Sequence, residues 1–178
     1  MGQYFTPTFL DAAGRIVAAL NPDDYGSGLK IYGHTRHDAP LMRAVEALLR
    51  LDGNIRLVWA GDYADEERGR NANLYFLAEP KHFVRFAGLV LDDVAPTATL
   101  PDHFTAGGGV GFICNADKRA FLDIAALPLD DWAVRRNPLP QLTAEGGGRS
   151  GLWARDRLFH TTSHPGAGWT PQSAAALV

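Results

Sequence analysis

The stretch "DAPLMRAVEALLRLDG", residues 38 to 53, limits what this chain can fold into more than any other. Leu41, Ala44, Val45, Leu48 and Leu49 recur at helical spacing on one face, while Arg43, Glu46 and Arg50 lie elsewhere. Asp38 suits a cap, Pro40 the first turn and Gly53 the position just past the end, so the spacing predicts a helix over 39–51. A helix with one apolar stripe must lay it on another element.

The partners are short apolar segments that read as strands. "YFTPTFL" and "RIVAAL" flank the turn-like "DAAG" and predict an antiparallel hairpin, with Pro7 placing its strand at a sheet edge or a bulge. "IRLVWAG" follows the helix as an apolar strand. "VGFICNADKRAFLDI" reads as a second hairpin turning at "NADK", and "RLFHTTS" as a last strand. "LYFLAE" and "HFVRFAGLVL" are apolar without a decisive period. Residues 126–152, with Pro128, Pro138, Pro140 and a glycine run, read as mostly irregular. Strands adjacent in sequence with one main helix imply an α+β fold: a mainly antiparallel sheet, the amphipathic helix and long irregular segments, in a single domain over 1–178.

Composition narrows the setting. The chain is 46% hydrophobic and 21% charged, as soluble globular proteins are. No run approaches ~18 apolar residues, so no membrane span is expected. The start "MGQYFTPTFL" lacks the basic and apolar stretches of a secretory leader, and the cytoplasm fits best. A net charge of −3 argues against a surface made for duplex nucleic acid, which needs clustered cations. The single cysteine, Cys114, forms no internal disulfide and suits a small buried hydrophobe.

Four stretches carry residues capable of chemistry. In "WAGDYADEE", residues 59–67, Asp62 and Asp65 emerge where a strand ends; magnesium needs only one or two such carboxylates. "GLKIYGHTRH" carries Lys30, His34, Arg36 and His37, a cationic lip or a solvated loop, with no third ligand for zinc. "EGGGRSG", residues 145–151, matches a dinucleotide fingerprint by letter, but no convincing strand precedes it. It reads instead as a flexible loop whose N–H groups and Arg149 could cradle an anion. "HFT" at 103–105 and "HTT" at 160–162 look like the paired motifs of two-histidine phosphoesterases. There His103 and His160 would be base and acid, and Thr105 and Thr162 would hold phosphate.

Taken together, "MGQYF", "YGSGLK", "WAGDYADEE", "PLPQLTAEGGGRSG" and "WARD" resemble a family of small uncharacterised proteins encoded by bacteriophages and bacteria. The resemblance covers most of the chain and brings no activity with it. It implies that Lys30, His34, Asp62, Tyr63, Asp65, Glu145, Arg149, Arg155 and Asp156 are motif positions. The "EGGGRSG" loop is shorter than that pattern implies, and the H-x-T triplets are not part of it. Acids, lysine, histidine and arginine from distant segments either fold into one polar pocket or pair off as structural ion pairs.

The expected function is an accessory protein that binds a small anionic, nucleotide-like ligand or a host protein partner. Lys30, Arg149 and Arg155 would neutralise the anion; Asp62 and Asp65 would orient hydroxyls, amines or a magnesium ion. No resident cofactor is expected. The rival expectation is a phosphodiesterase or nuclease-type hydrolase, using either the two histidines without metal or Asp62 and Asp65 with magnesium.

Overall fold

β1 (Phe5–Leu10) and β2 (Ile16–Ala19) form the first hairpin, and β1 also pairs antiparallel with β3 (Ile55–Gly61) along its whole length. The computed structural model describes residues 2–51, 53, 55–101 and 110–174. Pro7 therefore sits in an inner strand. The strand tolerates it because the β1–β2 ladder ends at Ala19: Leu20 N–H donates to the Pro7 carbonyl at 3.0 Å, and no return bond from Pro7 is needed. The register also shifts between Phe9 and Leu10, a bulge two residues away.

α1 (Ile31–His34) is a single turn, and α2 (Pro40–Leu51) is the one long helix. Leu41, Val45 and Leu49 of α2 join Phe9, Leu57 and Trp59 in the main core. Val58 and Ala60, pointing the other way from β3, form a smaller cluster with Leu10 and Leu74 of α3 (Leu74–Leu77). β3 is thus covered on both faces, which is why "IRLVWAG" reads as a continuous apolar run rather than an alternating one. Leu57 is fully buried there, and its truncation to alanine would cost ~2–5 kcal/mol.

The second hairpin joins β4 (Phe112–Asn115) to β5 (Ala120–Asp123) through residues 116–119. α4 (Leu139–Thr143) runs into β6 (Ala144–Gly146), which lies parallel beside β3 and turns back as β7 (Arg149–Ser150). β8 (Arg157–Thr161) pairs antiparallel with both β3 and β4, and β9 (Thr170–Pro171) closes on β5. The main path of the sheet is β2-β1-β3-β8-β4-β5-β9, mostly antiparallel, and the fold is α+β.

Two segments differ from expectation. "LYFLAE" supplies one helical turn, capped by the Asn73 side chain, which accepts the Phe76 N–H at 3.3 Å. "EGGGRSG" is a two-residue hairpin and not a flexible loop. Gly147 and Gly148 have φ of 57° and 72°, the two positive values that the tightest hairpin turn demands and that glycine adopts freely. Among the described residues, no helix is long and apolar enough to cross a membrane.

Candidate functional site

The five motif segments meet at one end of the β1–β3–β6 ladder, and most of what they do there is fasten it. A Cβ on Gly61 would meet the Glu145 carbonyl at 2.6 Å as well as the Gln3 amide, so the close approach of β6 to β3 needs that glycine; a Cβ on Gly146 would displace only the end of the Gln3 side chain. Tyr4 and Asp62 exchange bonds: the Tyr4 N–H donates to Asp62 Oδ1 at 3.0 Å and the Asp62 N–H to the Tyr4 carbonyl at 3.0 Å. Lys30 places its ammonium 5.1 Å from the centre of the Tyr4 ring. His34 is fully buried; the Trp59 indole N–H donates to its Nδ1 at 2.9 Å, so the proton sits on Nε2, 2.7 Å from the Gly28 carbonyl. Burial holds the His34 pKa below its ordinary value. Tyr63 leaves its ring exposed and accepts the Gly147 N–H on its carbonyl at 2.9 Å, which pins the β6–β7 hairpin to the turn after β3. Lys30, His34, Asp62 and the Tyr63 backbone therefore hold segments together.

Beyond Tyr63 a cavity of about 360 Å³ opens between residues 64–68 and the β6–β7 hairpin. Asp65, Glu66, Glu67, Arg68, Glu145, Arg149 and Arg155 are its charged lining residues. Arg155 has a φ of 64°, a left-handed conformation that costs a non-glycine residue on the order of 1–3 kcal/mol. β3 enforces it from both sides. The Arg155 N–H donates to the Leu57 carbonyl at 2.9 Å, and the Arg155 carbonyl accepts from Arg56 Nη1 at 2.9 Å.

So held, the Arg155 guanidinium lies between two carboxylates. Its Nε and Nη2 donate to Glu145 at 2.6 and 2.7 Å. Nη1 donates to Glu67 at 3.1 Å, and Nη2 makes a further short bond to the same carboxylate. Four of the five N–H groups of the fork are used, leaving one. The hydrogen bonds it donates to Glu145 and then to Glu67 raise its pKa still further, so it stays charged. Two carboxylates on one cation leave this floor with one excess negative charge. Arg68 and Arg149 are exposed at the rim and make no ion pair among the described residues.

The sequence-predicted site residues thus divide. Asp65, Glu145, Arg149 and Arg155 share the cavity; Lys30, His34, Asp62 and the Tyr63 ring do not line it. Asp156 lies elsewhere, accepting from Asn115 Nδ2 at 2.8 Å and pairing with Lys118. Glu66, Glu67 and Arg68 were the charged residues missed. The letters of "WAGDYADEE" do not show which carboxylates of a run turn inward.

His160 lies on β8, almost fully buried, with no hydrogen-bond partner for Nδ1 among the described residues; burial, and then the Arg50 charge, push its pKa down to about 4. Thr162 is exposed just past the end of the strand, and His103 and Thr105 lie outside the described residues. Cys114 is buried, and burial pushes its thiol up to about 12, far from a reactive thiolate. Among the described residues, no group of three or more His, Cys, Asp or Glu side chains is placed to hold a metal ion.

A second polar cluster sits in the core. Glu46 of α2 is buried with its Oε1 3.5 Å from His37 Nδ1, and Asn137 Nδ2 lies 3.2 Å from that same nitrogen. Burial, partly offset by Arg43 and Arg50, raises Glu46 to about 8; burial and the nearby Arg135 lower His37 to about 4. At neutral pH both are held uncharged. Helical spacing placed Glu46 off the apolar stripe, yet it is buried beside His37. His34 and His37, three apart in sequence, serve these two separate networks and share no ligand position.

No family model matches this chain, and neither a curated protein nor a solved structure matches it.

Proposed function

We propose that the protein binds a small anion, a phosphate or carboxylate on a polar, hydroxyl-bearing and nucleotide-like body, in the cavity between residues 64–68 and the β6–β7 hairpin. One observation carries this reading. The charged side chains lining the cavity divide into a fixed floor, Glu67–Arg155–Glu145, two carboxylates on the loop after β3, Asp65 and Glu66, and two exposed guanidinium groups, Arg68 and Arg149, with no ion pair of their own among the described residues. A floor already tied by hydrogen bonds needs no reordering when a ligand arrives, which lowers the cost of association. The rim arginines supply planar, bidentate donors for the anion. Asp65 and the remaining lone pairs of Glu145 accept hydroxyl groups, and the one spare N–H of Arg155 reaches the ligand from below. The excess negative charge of the floor disfavours a bare polyanion and favours an anion whose body also bears hydroxyl groups.

The test is thermal unfolding in the presence of inorganic phosphate, ribose 5-phosphate and adenosine monophosphate, on wild type, Arg149→Ala and Arg68→Ala. A ligand at ~100 times its dissociation constant adds about 2.7 kcal/mol, a rise of roughly 5–10 °C for a chain of this size. The shift should shrink with added salt and vanish in both variants. If no anion shifts wild type, or the variants shift as much as wild type does, the reading fails and a protein partner becomes the occupant to seek.

A further inference from the structure

A larger cavity, of about 550 Å³, shares Glu67 and Arg68 with the anion cavity. It reaches from the loop at 67–70 to the β1–β2 turn, α3 and the turn at Pro80–His82. The loop is fixed by its own backbone. The Glu67 N–H donates to the Ala72 carbonyl at 3.0 Å, and the Arg70 N–H to the Glu67 carbonyl at 2.8 Å. Gly69 sits between the two arginines with a φ of 75°, a conformation that glycine adopts freely. Arg68 lines both cavities, and Arg70 lines the larger one alone.

The charges of the larger cavity are unequal. Arg15, Arg68, Arg70 and Lys81 line it together with only two carboxylates, Glu67 and Glu79, among the described residues. Lys81 pairs with Glu79 at 2.8 Å, Arg15 with Asp11 at 2.7 Å, and Glu67 is tied to Arg155. Arg68 and Arg70 are exposed and make no ion pair among the described residues, so the cation excess rests on them. Two residues apart, their Cα atoms are at most ~7 Å from each other, comparable with neighbouring phosphates along a nucleotide chain. Ile16, Leu74 and Leu77 line the same cavity, so a ligand there meets apolar surface beside the cations. Glu67 keeps lone pairs beyond those that Arg155 takes, and these accept ribose hydroxyls. An acidic peptide would instead set its carboxylates against Glu67.

We infer, resting on the anion reading above, that the two cavities form one groove for a ligand of the dinucleotide class. One phosphate lies at Arg149 and Arg68, the second at Arg70, and a base lies against Ile16, Leu74 and Leu77.

The probe is the 5′-phosphorylated diadenylate pApA, compared with adenosine monophosphate by titration calorimetry. Wild type should bind pApA at least roughly tenfold more tightly, because the second phosphate adds its contacts within one molecule. Its affinity should also fall more steeply with salt, by roughly 0.7 in the slope of log affinity against log salt for the added phosphate. Arg70→Ala, at an exposed side chain, should erase both differences and leave adenosine monophosphate binding and circular dichroism unchanged. Arg149→Ala should weaken both ligands. Should Arg70→Ala fail to fold, Arg70→Gln, which drops the charge but keeps a polar chain, carries the same test. Adenosine monophosphate bound with no gain for pApA, or a gain that survives Arg70→Ala, overturns this inference and leaves the anion reading standing. Absence of binding by either ligand at millimolar concentration overturns both, as does pApA binding that Arg149→Ala leaves unchanged.

Discussion

Arg155 meets Glu67 and Glu145 at the edge of an open cavity, with side chains between 15% and 36% exposed; His37 meets Glu46 beneath α2, with side chains 3% and 2% exposed. Both clusters join a basic group to a carboxylate, yet they settle in opposite states. At the rim, hydrogen bonds satisfy the fork on nearly every N–H and water still reaches the group, so all three partners remain ionised. In the core, Glu46 Oε1 comes no closer to His37 than 3.5 Å and has no hydrogen-bond partner among the described residues, so desolvation outweighs attraction and the protons redistribute to leave neutral groups. Geometry decides which.

The largest effect should come from breaking the rim. Arg155→Ala leaves two carboxylates facing each other without a cation, and urea unfolding at pH 7 should show a loss of about 2–3 kcal/mol, discounted from the fully buried case for partial exposure. Arg155→Lys restores the charge without the fork and should fall between the variant and wild type. A loss below ~0.5 kcal/mol would reduce this cluster to an ordinary surface pair.

The core should reveal itself through pH. Glu46 has its folded pKa raised by burial from 4.5 to about 8, so its contribution is complete below about 4.5 and is lost as pH climbs through 8. His37 and His160 have theirs lowered from 6.5 to about 4, so their contribution is complete above about 6.5 and is lost as pH falls toward 4. Stability measured across pH should therefore peak between these limbs. Glu46→Gln should flatten the alkaline limb alone and cost under ~1 kcal/mol at the peak. An unchanged alkaline limb would mean that the pair is ionised after all.

Gly148→Ala places a side chain at a φ of 72° in the hairpin that carries the rim and should cost roughly 1 kcal/mol. Arg149→Ala should change stability by less than ~0.5 kcal/mol while removing the phosphate-induced shift, the smallest structural effect paired with the clearest functional one.

The helix over 39–51, both hairpins and the strand at "RLFHTTS" were legible because each rests on local periodicity or turn residues. The position of Pro7 was not, since an inner strand accepts proline only where its neighbour happens to stop. Nor was the β6–β7 hairpin, although the Gly-Gly pair at its tip is a turn signal that outranks the fingerprint its letters resemble. Of the site, Asp65, Glu145, Arg149 and Arg155 share one cavity, while Lys30, His34 and Asp62 turn to fastening. Sequence spacing could not divide these, because which carboxylate faces a cavity depends on contacts such as Arg155 to Glu67, made between residues far apart in the chain.

β8 has a consequence for how the chain is made. Among the described residues it is the only strand that joins β2-β1-β3 to β4-β5-β9, and Ile55 waits for Leu158 to complete its ladder. A nascent chain emerging from the ribosome therefore holds β2-β1-β3 and the β4–β5 hairpin with open edges until residues 157–161 have cleared the exit tunnel. Pairings this distant close slowly, and unpaired edges recruit neighbours in the interval. The exposed interval runs from the emergence of β3 to that of β8, and slowing synthesis across residues 62–156 would lengthen it.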